Sequence, residues 1–140
     1  MEQELDRLYQ QGRKTFGFYT GGSGWTRLVL RDSAAMKQML PGKSKALREL
    51  DVSVLHTLVL ERIMGIDREN MAKQINLTYT RVFNEALSAV REGKAQCSFV
   101  LNPTRVEEIR DVASAGEKMP QKSTYFYPKL ITGLVMNRLK

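Results

Sequence analysis

Apolar residues recur at helical intervals along much of the chain, and one segment shows this pattern more clearly than the others. We predict a helix in VSVLHTLVLERIM, with Asp51 as its N-cap and Gly65 just after its last turn. Because residues three and four apart share one face of an α-helix, we expect the following apolar side chains to pack in the core. They are Val52, Leu55, Val59 and Ile63.

Four other segments carry the same helical signal: EQELDRLYQQGR, DSAAMKQML, RVFNEALSAVRE and NPTRVEEIRDVASAG. Asp32 or Ser33 is the expected N-cap of the second segment. The last segment begins with a capping box, in which Thr104 is followed three residues later by Glu107. A glycine then closes each of the last two helices, as is common at helix C-termini.

Runs of β-branched and aromatic residues mark the predicted strands. KTFGFYTGGSGWTRLVLRD is typical of a β-hairpin with Gly-Gly-Ser-Gly at its turn. A phosphate-binding loop needs a helix directly after its glycines, and here a strand follows, so the hairpin is favoured. Three more strands are expected in QINLTYT, in AQCSFVL (central in the sheet because it is apolar), and in STYFYPKLITGLVMNRL. Pro128 interrupts the last of these, since proline cannot donate to a ladder.

The order of these segments predicts the fold class. After the opening helix it reads β-β-α-α-β-α-β-α-β, without a repeat or a linker. We therefore expect one α+β domain over residues 1–140, with a mixed or antiparallel sheet of about five strands covered by helices.

The chain is basic, with a formal net charge of +7 and a pI near 9.7. Such a charge favours a polyanionic partner. The acids are interleaved with the bases, however, and the longest basic cluster is PGKSKALRE. A nucleic-acid-binding module, the alternative function, would need six basic side chains on one face: Lys43, Lys45, Arg48, Lys118, Lys122 and Lys129.

Hydropathy and cysteine content bear on the compartment. No apolar run approaches the roughly 20 residues that span a bilayer. The N-terminal sequence is charged and unlike a secretory signal. A single cysteine excludes an internal disulfide framework and a multi-cysteine zinc site. We expect a cytoplasmic protein without a membrane partner.

Residue types that carry catalysis are scarce. His56 is the only histidine, and its helical neighbours are apolar, so a packed histidine is favoured over a catalytic one. Cys97 lies in an apolar strand and is expected to be a small buried residue. No nucleophile, metal or phosphate-loop spacing is present, so no catalytic or metal-binding residue is assigned. Whether the protein is an enzyme stays open, and no cofactor is assigned.

The segment MPQKSTYFYPKLITG, residues 119–133, combines charge, hydroxyls and aromatics. An ammonium group beside two hydroxyls and free backbone N–H groups suits an anion. The candidate ligand residues are Lys122, Ser123, Thr124, Tyr125, Tyr127 and Lys129. The competing interpretation is a capped loop that leads its aromatic residues into the core.

This C-terminal segment, as GEKMPQKSTYFYPKLITGLV, resembles a signature of a bacterial and archaeal domain-of-unknown-function family, number ten-fifteen. FGFYTGG, LDVSVLHTLVLERIMGI and VLNPTRVEEIRDVASAGEKMP resemble the same family in the same order. The resemblance covers essentially the whole chain. It implies the C-terminal part of a longer member, whose N-terminal half carries an Asp-Gly-His-His-Arg signature similar to the ParB and sulfiredoxin superfamily.

That superfamily includes nucleotide-binding proteins and kinases, but the Asp-Gly-His-His-Arg signature does not occur in this chain. The resemblance therefore implies a non-catalytic accessory domain that completes or caps a nucleotide- or amino-acid-handling protein. The expected partners are an N-terminal domain of the same family, in cis or in trans, and a phosphate or nucleotide ligand. Assembly into a homo-oligomer is a further expectation.

Overall fold

A computed structural model describes residues 1–125 of the chain. Its sheet consists of β1 (Thr15–Tyr19), β2 (Thr26–Val29) and β3 (Ser98–Val100), in the order β2-β1-β3. Both pairings are antiparallel: Phe16 lies opposite Leu28, and Phe18 lies opposite Phe99. The predicted hairpin is confirmed by the pairing of β1 with β2.

Seven α-helices accompany this sheet within residues 1–125, so the α+β class is confirmed. They are α1 (Glu2–Gln10), α2 (Ala34–Met39), α3 (Lys45–Arg48), α4 (Asp51–Val54), α5 (Arg68–Lys73), α6 (Phe83–Arg91) and α7 (Val106–Ser114). None of the helices in this part of the chain combines the length and hydropathy that a transmembrane span requires.

The expectation of about five strands is not supported. The segment QINLTYT is irregular: Ile75 is 65% exposed, and Leu77 packs against the apolar core without any strand pairing of its backbone. Within residues 1–125, β1 is the central strand and β3 lies at an edge, which corrects the central position predicted for AQCSFVL. The last predicted strand falls almost entirely on residues 126–140, outside the described residues.

The long core helix changes its hydrogen-bonding pattern part-way along. After α4, the backbone continues as a nine-residue π-helix, Leu55–Ile63. The wider i→i+5 turn changes which side chains face the core: Leu55 and Leu60, five residues apart, are buried, whereas Ile63 is 76% exposed. The prediction from α-helical spacing that Ile63 packs in the core is therefore wrong. Gly65 does follow the helix with a φ of +70°, as expected.

Helix starts differ from the predicted caps by one residue in two places. Leu50 is the N-cap of α4, and Asp51 is its first residue. The capping box of α7 is formed by Arg105 and Glu108 instead of Thr104 and Glu107, and the Arg105 N–H donates to Glu108 Oε2 at 2.9 Å. Both shifts leave an acidic side chain in the first helical turn, where its negative charge interacts favourably with the positive end of the helix dipole.

Two short helices, α3 and α5, have N-cap signals that the sequence prediction overlooked. Ser44 Oγ accepts a hydrogen bond from the Leu47 N–H at 3.1 Å and starts α3. Asp67 Oδ1 accepts from the Asn70 N–H at 2.8 Å and starts α5. Each cap satisfies one of the backbone donors that a helix N-terminus leaves open.

Two apolar clusters hold these elements together. The larger joins the sheet, α2, the π-helix and α5 through buried residues that include Phe16, Met36 and Leu60. The smaller joins α3 to α7 through Leu47 and Val112, which are 8% and 0% exposed. The sheet and α2 are therefore fixed relative to the helical core, which positions the cleft between them.

Candidate functional site

A cleft with two adjoining lobes lies where the open end of the hairpin meets α2 and α3. The first lobe has a volume of about 240 Å³ and the second of about 580 Å³. Lys14, Leu30 and Ser33 line both lobes, so the lobes are neighbours. The Leu30 N–H donates to the Lys14 carbonyl at 2.9 Å, which holds the two sides of the hairpin together at this point.

Basic side chains surround the cleft. Six line its two lobes, against two acidic ones, Asp32 and Glu49. The basic residues are Arg13, Lys14, Arg31, Lys37, Lys45 and Arg48. Like charges gathered around one concave surface raise the local concentration of anions.

Most of this positive charge is not neutralised by the protein. Lys45 lies 3.7 Å from Glu49, in an ion pair along α3. Lys14 pairs with carboxylates of the protein interior. In the part of the chain that the structure describes, the remaining four cations of the cleft take part in no ion pair; they are Arg13, Arg31, Lys37 and Arg48. The cleft therefore presents cationic groups that an anionic ligand can contact.

The first lobe also has an apolar wall. Leu30, Met36 and Val54 contribute to its lining, and Met36 and Val54 are each 2% exposed. A mostly apolar cavity with a few charged groups is the usual form of a small-molecule site. The arrangement can bind a small anionic ligand that also has an uncharged part.

Lys14 connects the cleft to a cluster of charged groups in the protein interior. Its Nζ lies 3.4 Å from Oδ1 of Asp51 and 3.9 Å from Oε1 of Glu108. Asp51 is 7% exposed, and Asn102 Nδ2 donates to its Oδ2 at 3.4 Å. Burial raises the pKa of the Asp51 carboxyl, and the positive charge of Lys14 opposes that increase.

Tyr9 covers another side of the same cluster. Lys14 Nζ and the Arg105 guanidinium lie 5.3 Å and 5.2 Å from its ring centroid. Burial raises the pKa of Tyr9 to about 12, with the neighbouring Glu108 carboxylate contributing in the same direction. The tyrosine is therefore a neutral wall of the cluster at physiological pH.

The residues predicted as an anion site in the C-terminal segment lie elsewhere. Lys122 is exposed and has a φ of +59°. The hydroxyl of Ser123 donates to the Pro120 carbonyl at 2.6 Å, and the Ser123 carbonyl accepts from Thr104 Oγ1 at 2.8 Å. This hydroxyl is thus part of a turn, as in the capped-loop interpretation.

Two further residues complete the described part of that segment. Thr124 is half-buried, and the Arg81 guanidinium lies 3.8 Å from the ring centroid of Tyr125. Tyr127 and Lys129 lie outside the described residues. None of the four described candidates lines either lobe of the cleft, and an anion site in this segment stays a prediction.

The two residues considered for catalysis are both half-buried. Burial lowers the pKa of His56, so its imidazole is neutral at physiological pH, and Tyr79 lies edge-on to it with ring centroids 6.3 Å apart. Burial raises the pKa of the half-buried Cys97, which disfavours the reactive thiolate. In residues 1–125, no group of three or more His, Cys, Asp or Glu side chains is placed to hold a metal ion.

The sequence prediction missed the cleft, although one signal for it is present. Arg13 and Lys14 precede β1, and Arg31 follows β2. The hairpin register, continued past Thr15 and Val29, places Lys14 opposite Leu30 and Arg13 opposite Arg31, so Arg13 and Arg31 come close together at the open end. Only Lys45 and Arg48 had been noted, as part of the basic cluster.

Compared with known proteins, the chain matches no family model, and no curated protein or solved structure shows significant similarity to it.

Proposed function

We propose that this chain is a non-catalytic accessory domain that binds a small phosphate-bearing ligand in the two-lobed cleft. The observation that carries the proposal is a set of four cations that line the two neighbouring lobes, two in each, without ion-pair partners among the described residues. Phosphate oxygens accept charge-assisted hydrogen bonds from arginine and lysine, and such bonds are stronger than neutral ones. The apolar wall beside them accommodates the uncharged part of the ligand.

The proposal keeps the accessory role that the family resemblance implies. The ligand would be handled together with an N-terminal domain of the same family, in the same chain or in a partner. Neither His56 nor Cys97 lines the cleft, and burial disfavours the thiolate of Cys97, which supports a binding role for the cleft.

A nucleic-acid-binding module is the competing function, and two of its six required cations are already paired with acids. Lys43 Nζ lies 3.4 Å from Glu117, and Lys45 Nζ lies 3.7 Å from Glu49. Phosphate contacts by these lysines would have to break the pairs. A small ligand in the cleft uses other cations and leaves both pairs intact.

The test is thermal unfolding of the chain with inorganic phosphate, ADP, ATP, serine or a short DNA duplex. A ligand that binds the folded state raises the melting temperature by mass action. We expect a rise with phosphate and nucleotide, and its loss in Lys37→Gln/Arg48→Gln. The matched control is Arg68→Gln/Lys73→Gln, which removes two exposed cations from α5 and should keep the rise.

Lys122→Ala separates the cleft from the C-terminal segment. A rise that disappears in Lys122→Ala but persists in Lys37→Gln/Arg48→Gln would place the anion site in residues 122–129 and overturn the proposal. A rise with the DNA duplex alone, weakening steeply as salt increases, would favour the nucleic-acid module instead.

A further inference from the structure

Lys14 belongs both to the first lobe of the cleft and to the buried charge cluster. The hairpin register, continued by one residue pair, places Lys14 opposite Leu30, so the two side chains share one face of the sheet. Leu30 lines the first lobe together with Val54 of α4. Asp51, whose Oδ1 lies 3.4 Å from Lys14 Nζ, precedes Val54 by three residues on the same helix. The ion pair therefore lies directly beside the wall of the first lobe.

The Asp51 carboxylate depends on this lysine for its neutralisation. Its Oδ1 has no hydrogen-bond partner within residues 1–125, and its Oδ2 accepts from the Asn102 amide at 3.4 Å. Lys14 Nζ also serves Glu108, whose Oε1 lies 3.9 Å away. Both separations from Nζ are longer than the roughly 2.7–2.9 Å of a close charge-assisted hydrogen bond. One loosely held ammonium group is thus shared between two carboxylates.

The other groups around Asp51 do not add a second cation next to it. Glu108 of α7 contributes negative charge, and Tyr9 of α1 is a neutral phenol with the Arg105 guanidinium over its ring. Helix α3 also packs against α4, but within residues 1–125 the only ion pair of Asp51 is the one with Lys14. Burial raises the pKa of Asp51, and the Glu108 charge acts in the same direction.

An anion bound in the first lobe beside Lys14 competes with Asp51 for the same ammonium group. A carboxylate that is 7% exposed and loses its cation is stabilised by taking up a proton instead. We infer that binding of an anion beside Lys14 is coupled to the uptake of one proton from solvent by the Asp51 carboxylate. By reciprocity, acid strengthens anion binding. The inference rests on the proposed function and adds a regulation of the same site by pH.

Isothermal titration calorimetry with inorganic sulfate measures this coupling. Sulfate keeps its double charge from acidic to neutral pH, whereas a phosphate group gains a proton near pH 6, at about its second pKa. Titrations at several pH values between about 4.5 and 7, each in two buffers of different ionisation enthalpy, give the number of protons taken up on binding. We expect the wild type to take up more protons than Asp51→Asn. Equal uptake in the two proteins would overturn the inference.

The affinities provide a second readout. Asp51→Asn leaves Lys14 without its nearest carboxylate, so at pH 7 it should bind sulfate at least about fivefold more tightly than the wild type. The difference should shrink as the pH falls, because the wild-type carboxyl then becomes protonated. Asp32 and Glu49, the two acidic residues of the cleft lining, are present in both proteins and cancel in this comparison.

Glu108→Gln is the matched control for the second carboxylate near Lys14. Its amide oxygen can still accept from the Arg105 N–H, as Glu108 Oε2 does at 2.9 Å, so the start of α7 is kept. This variant should retain the proton uptake of the wild type. Loss of the uptake in Glu108→Gln, with retention in Asp51→Asn, would assign the proton to Glu108 and overturn the inference.

Failure of the coupling differs from failure of the proposed function. If sulfate binds the wild type without proton uptake at any of these pH values, only the coupling is overturned, and this measurement needs no variant. If neither sulfate nor inorganic phosphate binds the folded wild type at any pH, the proposed function itself is overturned. Circular dichroism of each variant establishes that the fold is intact.

Discussion

Lys14 and Asp51 form an ion pair that joins the wall of the cleft to the protein interior. Nζ lies 3.4 Å from Oδ1, and the two side chains are 19% and 7% exposed. A carboxylate so far from water has lost most of its hydration, and the lysine is its nearby positive charge. The cleft and the core are therefore linked through one pair of charges.

The Asp51 carboxyl should make stability depend on pH in a defined direction. Because burial raises its pKa, the folded state retains the proton above the ordinary aspartate pKa of about 3.9, where the unfolded state has released it. The free energy of unfolding therefore falls as pH rises through this interval. Asp51→Asn lacks this dependence, so its stability relative to the wild type should increase as pH rises.

Urea denaturation of both proteins at several pH values between about 3 and 8 measures this difference. A difference that stays constant with pH, or falls as pH rises, would show that the Asp51 pKa is not raised in the folded state.

Removal of Lys14 should lower the free energy of unfolding, most strongly when the Asp51 carboxyl is ionised. Lys14→Met keeps the length of the side chain but leaves Asp51 without its cation, and the loss of one partner of a buried pair costs up to about 3–5 kcal/mol. The loss should be largest at neutral pH and shrink as acid protonates Asp51. Arg13→Met, one residue away on the exposed surface, should change stability by no more than about 0.5 kcal/mol. Equal losses in the two variants would contradict the structural role of the pair.

The π-helix predicts unequal effects for two apolar residues three positions apart. Leu60 is 2% exposed and packs in the larger core cluster, whereas Ile63 is 76% exposed. Leu60→Ala should reduce the free energy of unfolding by about 2–5 kcal/mol. Ile63→Ala should change it by about 0.5 kcal/mol or less. Chemical denaturation measures both, and a large loss in Ile63→Ala would indicate regular α-helical packing instead.

Ser44 should contribute to stability through its side-chain cap. Its Oγ accepts from the Leu47 N–H and donates to Glu117, which is 73 residues away in the sequence. Ser44→Ala should therefore cost about 0.5–2 kcal/mol. The matched control is Ser33→Ala, because Ser33 is the N-cap of α2 without a side-chain capping hydrogen bond. If Ser33→Ala lowers the free energy of unfolding as much as Ser44→Ala in the same denaturation experiment, the capping hydrogen bond is not the cause of the loss.

Local chemistry explains which parts of the fold could be predicted from the sequence. Gly65, Gly93 and Gly116 each follow a helix with positive φ, because glycine adopts that conformation without strain. The hairpin was equally predictable from its glycine-rich turn and flanking aromatic residues. The exposed segment around Ile75 has strand-like composition, but no strand of the described sheet pairs with it, and composition alone does not reveal partners.

The candidate site was less predictable for a physical reason. Lys37 and Arg48 come from different helices, and Arg31 lies two residues after the end of β2. Their convergence depends on how α2 and α3 pack beside the hairpin, which sequence spacing does not specify. The C-terminal segment attracted attention because its polar and aromatic residues are contiguous, whereas the cleft assembles cations that are far apart in the sequence.

The π-helical segment also has an evolutionary consequence. Each i→i+5 turn contains one more residue than an i→i+4 turn, so a helix can absorb an inserted residue by widening. Homologous chains with one residue fewer between Leu55 and Ile63 would then form a regular α-helix here. The buried contacts before and after the deleted residue would stay the same. An alignment of such chains should show its gap inside this helix, a place where insertions and deletions are otherwise rare.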